Sequence, residues 1–183
     1  MARPAGAQDE TQTGTQGVAA VYQLGVSAYC RSLQVEDEFV APIIFRREFT
    51  IAWGDCDPAG IVFNPRFFEF FDASTWLLFD LALGVKPHQL NVAFGIIGIP
   101  LVDARANFIK AVKFGDAVEI ATRATKFGRS SFEIEHRLSV GGELHVEGEE
   151  KRVWAAKDPD NPDRIKGVPI PAEVIAKFGG TTL

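Results

Sequence analysis

Trp53-Gly54-Asp55-Cys56-Asp57-Pro58-Ala59-Gly60-Ile61-Val62-Phe63-Asn64-Pro65-Arg66-Phe67-Phe68-Glu69-Phe70-Phe71-Asp72-Ala73-Ser74 is the stretch on which the reading of the fold turns. Its first half gathers Gly, Asp and Pro, residues that satisfy or preset a bent backbone, and so reads as a loop. Its second half opens a helix: Asn64 is a good N-cap, Pro65 suits the first helical position, and no Gly or Pro interrupts Arg66 to Leu83 before Gly84. Phe67, Phe68, Phe70, Phe71, Trp76, Leu77, Leu78, Phe79, Leu81 and Leu83 cover most of that helix, leaving a narrow stripe through Arg66, Glu69, Asp72 and Asp80. A helix so apolar must be wrapped by other structure.

Working outward, Ile43 to Ile51 alternates imperfectly between apolar and polar side chains, as a half-buried strand does. Downstream, strand-like segments at 96–112, 116–127, 130–140 and 143–156 are separated by Phe114-Gly115-Asp116, Gly128 and Gly141-Gly142, turn signals that predict successive hairpins. A strand-like piece at 164–170 leads through Pro171 into a short helix at 172–178. One strand, a long buried helix and then a meander of strands imply an α+β fold, with an antiparallel sheet curled around a long central helix.

The chain's 183 residues with 46% hydrophobic content favour one core. Residues 1–42 read as an N-terminal extension, the first 17 too polar and small to order themselves and Val18 to Leu33 weakly helix-like; 43–180 read as the domain. A net charge of -5 with scattered Lys and Arg excludes a nucleic-acid footprint and a polybasic membrane face. Two cysteines, Cys30 and Cys56, make neither a disulfide framework nor a zinc site, and no leader or spanning segment is visible, so a cytoplasmic protein is expected.

The run at 53–74, with its D-x-D-P-x-G-I-V core, resembles the signature of the 4-hydroxybenzoyl-CoA thioesterase family of hot-dog proteins, and GIIGIPLV at 95–102 is similar to that family's next strand entry. The resemblance covers roughly residues 43–175. It implies a hot-dog fold, hydrolysis of an acyl-CoA thioester, and dimers or homotetramers with active sites at the dimer interface. It also implies Asp57 as the catalytic carboxylate, nucleophile or general base, and the backbone N–H of Asn64 as the donor polarising the thioester carbonyl.

Chemistry agrees with that assignment. Hydrolysis needs a nucleophile or an activated water, and donors where charge develops on oxygen. Pro58 biases Asp57 to an extended backbone, Gly60 permits close approach, and the N–H groups opening the helix favour negative charge. Gly60, Val62, Phe63, Asp72 and Ile99 are the candidate substrate contacts. Asp72 lies about 12 Å along the helix from Asn64 at 1.5 Å per residue, and the matching family position helps read a ring hydroxyl. Asn64 and Ile99 depart from the family's tyrosine and threonine, which leaves an aryl or medium-chain acyl group rather than a named one. Lys126, Arg129 and Ser130, in a turn resembling the family's basic grip on phosphate, are the candidate coenzyme A contacts, with Lys113 and Arg123 assisting.

Less specific readings stand beside these. Asp55 reads as a turn cap, Cys56 as a packing residue, and His88, His136 and His145 as ordinary strand or surface residues without metal spacing. No metal and no cofactor are expected, coenzyme A being part of the substrate. The competing functions are a hydratase or dehydratase on the same fold, hydrolysis by Glu69 or Asp72 instead of Asp57, and a non-catalytic thioester-binding module.

Overall fold

The structure is a computed structural model that describes residues 42–161 and 163–179. The expectation for residues 1–42 falls almost wholly outside them.

A five-stranded antiparallel sheet forms in the order β1-β3-β4-β5-β2, from β1 (Phe45–Thr50), β2 (Leu101–Phe108), β3 (Ala117–Phe127), β4 (Ser131–Val140) and β5 (Glu143–Val153). The central helix α1 (Asn64–Leu83) packs on one face of it. The period-2 pattern decides which face: Val118, Ile120, Thr122 and Ala124 of β3 and Phe132, Ile134, His136 and Leu138 of β4 are buried, and their neighbours are not. The outer face carries cross-strand ion pairs, Arg46 with Glu119, Arg123 with Glu135 and Arg137 with Glu147. Exposed pairs of this kind contribute little to stability.

Two boundaries differ from the sequence reading. The segment expected at 96–112 forms a strand only over 101–108. Before it, Gly98 at φ +153° makes a lone bridge to Ala155, and Pro100 has no N–H to donate to a ladder. The segment expected at 143–156 ends at Val153, beyond which β6 (Ala155–Lys157) leaves the main sheet to pair with β7 (Ile165–Gly167). Two short helices complete the described chain, α2 (Leu90–Phe94) and α3 (Ala172–Lys177).

The interior is divided. One apolar cluster joins Leu78, Phe79, Leu83, Ile96, Ile99, Phe132, Trp154 and Phe178, and a second joins Ile51, Val62, Phe67, Phe70, Phe71, Val118, Leu138 and Val146. Thr75, Thr122, His136, Glu150 and Arg152 are also buried. Thr75 lies on α1 between its residues in the two clusters, and the other four lie on the inner face of β3, β4 and β5.

Gly148 explains how α1 comes so close to the sheet there. A Cβ at that position would lie 2.5 Å from the Phe71 ring, so only glycine lets the ring rest on the backbone of β5. The ring then stacks on His136 at 4.6 Å between centroids, directly over the row Thr122, His136, Gly148 formed by the register of β3, β4 and β5.

Candidate active site

The loop between β1 and α1 is held at both ends by backbone bonds. Ile51 N–H donates to the Asp116 carbonyl and Gly115 N–H to that of Ile51, which ties the end of β1 to the turn before β3. Asp55 Oδ2 accepts the Ala52 N–H at 3.0 Å, and the Asp55 carbonyl accepts the Phe63 N–H at 2.9 Å, so Asp55 has the turn-capping geometry expected of it. Cys56 and Val62 form a bridge, closing a small hairpin whose tip is Asp57 to Gly60. Gly60, at φ +78°, occupies the left-handed conformation this tip requires.

Asp57 sits within that hairpin. Its N–H donates to the Ile61 carbonyl at 2.9 Å, its carbonyl accepts the Gly60 N–H, and its Oδ1 accepts the Ala59 N–H at 2.8 Å. The half-buried carboxylate is thereby fixed through one oxygen, and Oδ2 has no hydrogen bond among the described residues. Capping its own turn and presenting a free oxygen are compatible roles.

The helix begins one residue before the cap reading placed it. Phe63, extended at φ -65° and ψ 123°, is the N-cap, Asn64 is the first helical residue and Pro65 the second. Asn64 makes no side-chain cap. In the first helical position its N–H has no carbonyl four residues earlier to bond, and it carries the positive end of the α1 dipole. Asn64 lines a cavity of 220 Å³ together with Ile61, Val62, Phe67, Phe108 and Ile109. Asp57 is linked to the wall of that cavity through its bond to Ile61, whereas Phe63, 53% exposed, is turned out to solvent.

Other candidates lie elsewhere. The Ile99 side chain is 1% exposed in the first apolar cluster, so it is packed in the core instead of lining an open acyl site; its carbonyl accepts a bond from Arg152. Glu69 is on the surface, ion-paired with Arg66. Lys126 pairs with Glu133 at 2.6 Å on the outer face of the sheet, and Arg129 and Ser130 form the β3–β4 turn, held by bonds from Ile170 and Trp154. That turn and the Asp57 loop are at opposite ends of β3, whose eleven residues span roughly 35 Å at 3.3–3.4 Å each. A single chain does not bring them together. Lys113 instead bridges Ile61 at the Asp57 end, and Arg123 is engaged by Glu135.

The buried polar residues were missed as a group. Arg152 Nε donates to Glu150 Oε2 at 2.8 Å, Nη1 to the Ile99 carbonyl at 3.3 Å and Nη2 to Asp72 Oδ1 at 2.6 Å. Thr75 Oγ1 donates to Glu150 Oε2 at 2.8 Å, and His136 Nε2 stands 3.6 Å from the same oxygen. Burial opposes ionisation of Glu150, but the nearby His136 ring and the hydrogen bond from Arg152 outweigh it and hold the carboxyl at about 2. His136, read as an ordinary strand or surface residue, lies on a strand, buried beside a carboxylate. Phase was the available signal: Glu150 and Arg152 share the parity of Val146, which any inward-facing strand position must share.

Cys56 is a free thiol whose Sγ contacts the Ala52 carbonyl. Among the described residues no cluster of His, Cys, Asp and Glu is arranged to hold a metal ion, and no helix is long and apolar enough to cross a membrane.

Comparison with known proteins gives consistent matches. A family model described as the thioesterase-like superfamily matches residues 51–178. The 4-hydroxybenzoyl-CoA thioesterase of Pseudomonas sp. strain CBS-3 is 34% identical over 131 residues, covering 68% of this chain and 90% of that protein. Among solved structures, a mutant 4-hydroxybenzoyl CoA thioesterase complexed with 4-hydroxybenzoyl CoA superposes with a TM-score of 0.68 at 28% identity, over 74% of this chain and 98% of the other. A gentisyl-coenzyme A thioesterase superposes with a TM-score of 0.61 at 32% identity, over 71% of this chain and 98% of the other.

Proposed function

From the premise that the chain belongs to the thioesterase-like superfamily and is a thioester hydrolase of acyl-CoA type, we propose that it hydrolyses aryl- or medium-chain acyl-CoA esters with Asp57 as the reacting carboxylate. The observation that carries this reading is that Asp57, half-buried and free at Oδ2, bonds through its N–H to Ile61, which together with Asn64 lines the cavity at the start of the helix, where the Asn64 N–H is unbonded. The thioester carbonyl oxygen accepts from Asn64 N–H. There the helix dipole stabilises the charge that develops as the carbonyl carbon becomes tetrahedral. Asp57 either adds to that carbon, giving a mixed anhydride that water then cleaves, or takes a proton from the attacking water. In both routes the thiolate of coenzyme A leaves and the acyl group departs as a carboxylate. No cofactor is required beyond the coenzyme A that the substrate carries, and the cytoplasm is the proposed compartment.

We further infer a homodimer, or a tetramer built from it, with the site at the interface. The edge strand β2 exposes Leu101, Val102 and Phe108, and Ile109 follows it, while Leu77 and Leu81 are exposed on α1. An unpaired apolar edge of this kind invites a second copy. Phe108 and Ile109 also line the cavity, and 220 Å³ falls short of the ~300–1,000 Å³ typical of a ligand site, so a second copy would complete it. Such a copy also supplies a Lys126–Ser130 turn from outside, which the single chain cannot.

The test is release of free thiol from a panel of benzoyl, hydroxybenzoyl, phenylacetyl and straight-chain CoA esters. Asp57→Asn is expected to lower kcat by about 100-fold or more, while Glu69→Gln retains turnover. Loss of turnover confined to Glu69→Gln or Asp72→Asn would move the carboxylate onto the helix, and binding without release from any ester would make the protein a thioester-binding module.

A further inference from the structure

The hairpin that carries Asp57 is anchored unequally on its two sides. Its return arm is tied to the segment after β2: Val62 N–H donates to the Val112 carbonyl at 2.8 Å, the Gly60 carbonyl accepts the Phe114 N–H at 3.4 Å, and Ile61 bridges Lys113. The outgoing arm, Asp55 to Asp57, makes no hydrogen bond to that segment among the described residues. Asp57 itself bonds only to Ala59, Gly60 and Ile61, which shapes the tip but does not set how the arm leaves the strand.

Asp55 does set it. It exchanges two bonds with Ala52, giving its N–H to the Ala52 carbonyl at 3.0 Å and taking the Ala52 N–H on Oδ2 at 3.0 Å, and Ala52 follows the fully buried Ile51. The Asp55 carbonyl accepts the N–H of Phe63, the N-cap of α1, whose own carbonyl accepts the Arg66 N–H at 2.8 Å. One residue therefore joins the end of β1, the base of the hairpin and the start of the helix, two positions before the reacting carboxylate. Its two carboxylate oxygens are not equivalent. Oδ2 satisfies a backbone donor, whereas Oδ1 only stands 3.9 Å from Arg66 Nε, a part-exposed cation already engaged by Glu69.

Resting on the reading of Asp57 as the reacting carboxylate, we propose that Asp55 is a positioning residue for it: by holding the Ala52 N–H, Oδ2 fixes the outgoing arm and so the approach of Asp57 to the carbonyl polarised at Asn64. Asp55 touches no substrate. Its effect belongs to the chemical step, where a displacement of about 1 Å can cost 100-fold in rate, and not to binding. An acceptor is what the position needs, with or without charge, so asparagine can replace Asp55 and alanine cannot. The same bond can be cut from its other end. Ala52, at φ -82° and ψ 157°, has the backbone of a proline, which has no N–H to give.

The experiment measures thiol release by the full-length chain on whichever CoA ester of the panel turns over fastest. Asp55→Ala and Ala52→Pro are each expected to lower kcat about 10-fold or more with KM within about twofold, and the two together to be no worse than either alone. Asp55→Asn and Arg66→Met are expected to stay within about threefold of wild type. Because Asp55 acts through Asp57, adding Asp55→Ala to Asp57→Asn is expected to leave the residual rate unchanged. Urea unfolding identifies any variant that fails to fold, and if Asp55→Ala does, Ala52→Pro decides. A raised KM with kcat kept, or a further loss in the Asp57→Asn background, would overturn the proposal. Loss in Asp57→Asn with Asp55→Ala and Ala52→Pro at the wild-type rate defeats this proposal alone, while full turnover by Asp57→Asn, or no thiol release by wild type from any ester, defeats the catalytic reading and this one together.

Discussion

Glu150→Gln is the most informative perturbation of the buried layer, because it keeps the shape of the side chain and removes its charge. The Glu150 carboxyl is lowered from 4.5 to about 2 in the folded chain, a difference worth roughly 3 kcal/mol. Its folded value lies below its unfolded one, so the ionised form stabilises the fold. That stabilisation is complete above about pH 5 and is lost as pH falls toward 2. At pH 3 less than half of it remains, so titration of this one group removes about 2 kcal/mol between pH 7 and pH 3. In Glu150→Gln that component is missing. The variant is expected to be about 3 kcal/mol less stable than wild type at pH 7, where Arg152 loses its neutralising partner. Its stability should also fall about 2 kcal/mol less than that of wild type on going to pH 3. Urea unfolding of both proteins at pH 7, 5 and 3, at one fixed protein concentration, reads the difference. Parallel loss of stability in the two proteins would refute the argument, since it would mean that Glu150 binds its proton equally well folded and unfolded.

Two further outcomes can be checked alongside it. Gly148→Ala places a Cβ 2.5 Å from the Phe71 ring, so the ring must leave its stack on His136; a loss of about 1–3 kcal/mol in thermal or urea unfolding is expected, the usual scale of overpacking. Lys126→Ala removes an exposed partner of Glu133, so stability should stay within about 0.5 kcal/mol. If the turn grips coenzyme A, KM for every CoA ester should rise about threefold or more, the cost of one exposed charge contact, with kcat little changed.

What could be read in the sequence was whatever local chemistry dictates. Asn64 to Leu83 had to be a helix because nothing in it breaks one and Gly84 ends it in the left-handed conformation, φ +69°. The hairpins followed from Gly141 and Gly142, both at positive φ, and from the alternation that runs along β4 and along β3 as far as Ala124. Boundaries failed where one residue has two readings: Asn64 has the side chain of a cap, yet Phe63 takes that place, since the extended backbone needed there is open to any residue before Asn-Pro. The Asp57 loop was legible for the same local reasons. Asp72 was legible only as a carboxylate on the helix; its partner is eighty positions away, on a strand whose place in the sheet depends on the pairing of β5 with both β4 and β2. Register of that kind is not written in any short stretch of sequence. Its trace is a violation of phase: in a strand whose inward positions are Val146, Gly148, Glu150 and Arg152, the last two break the apolar rule together. Two opposite charges breaking it in consecutive inward positions cost least if they face each other and a third group, and here that group is the carboxylate the helix brings down to meet them.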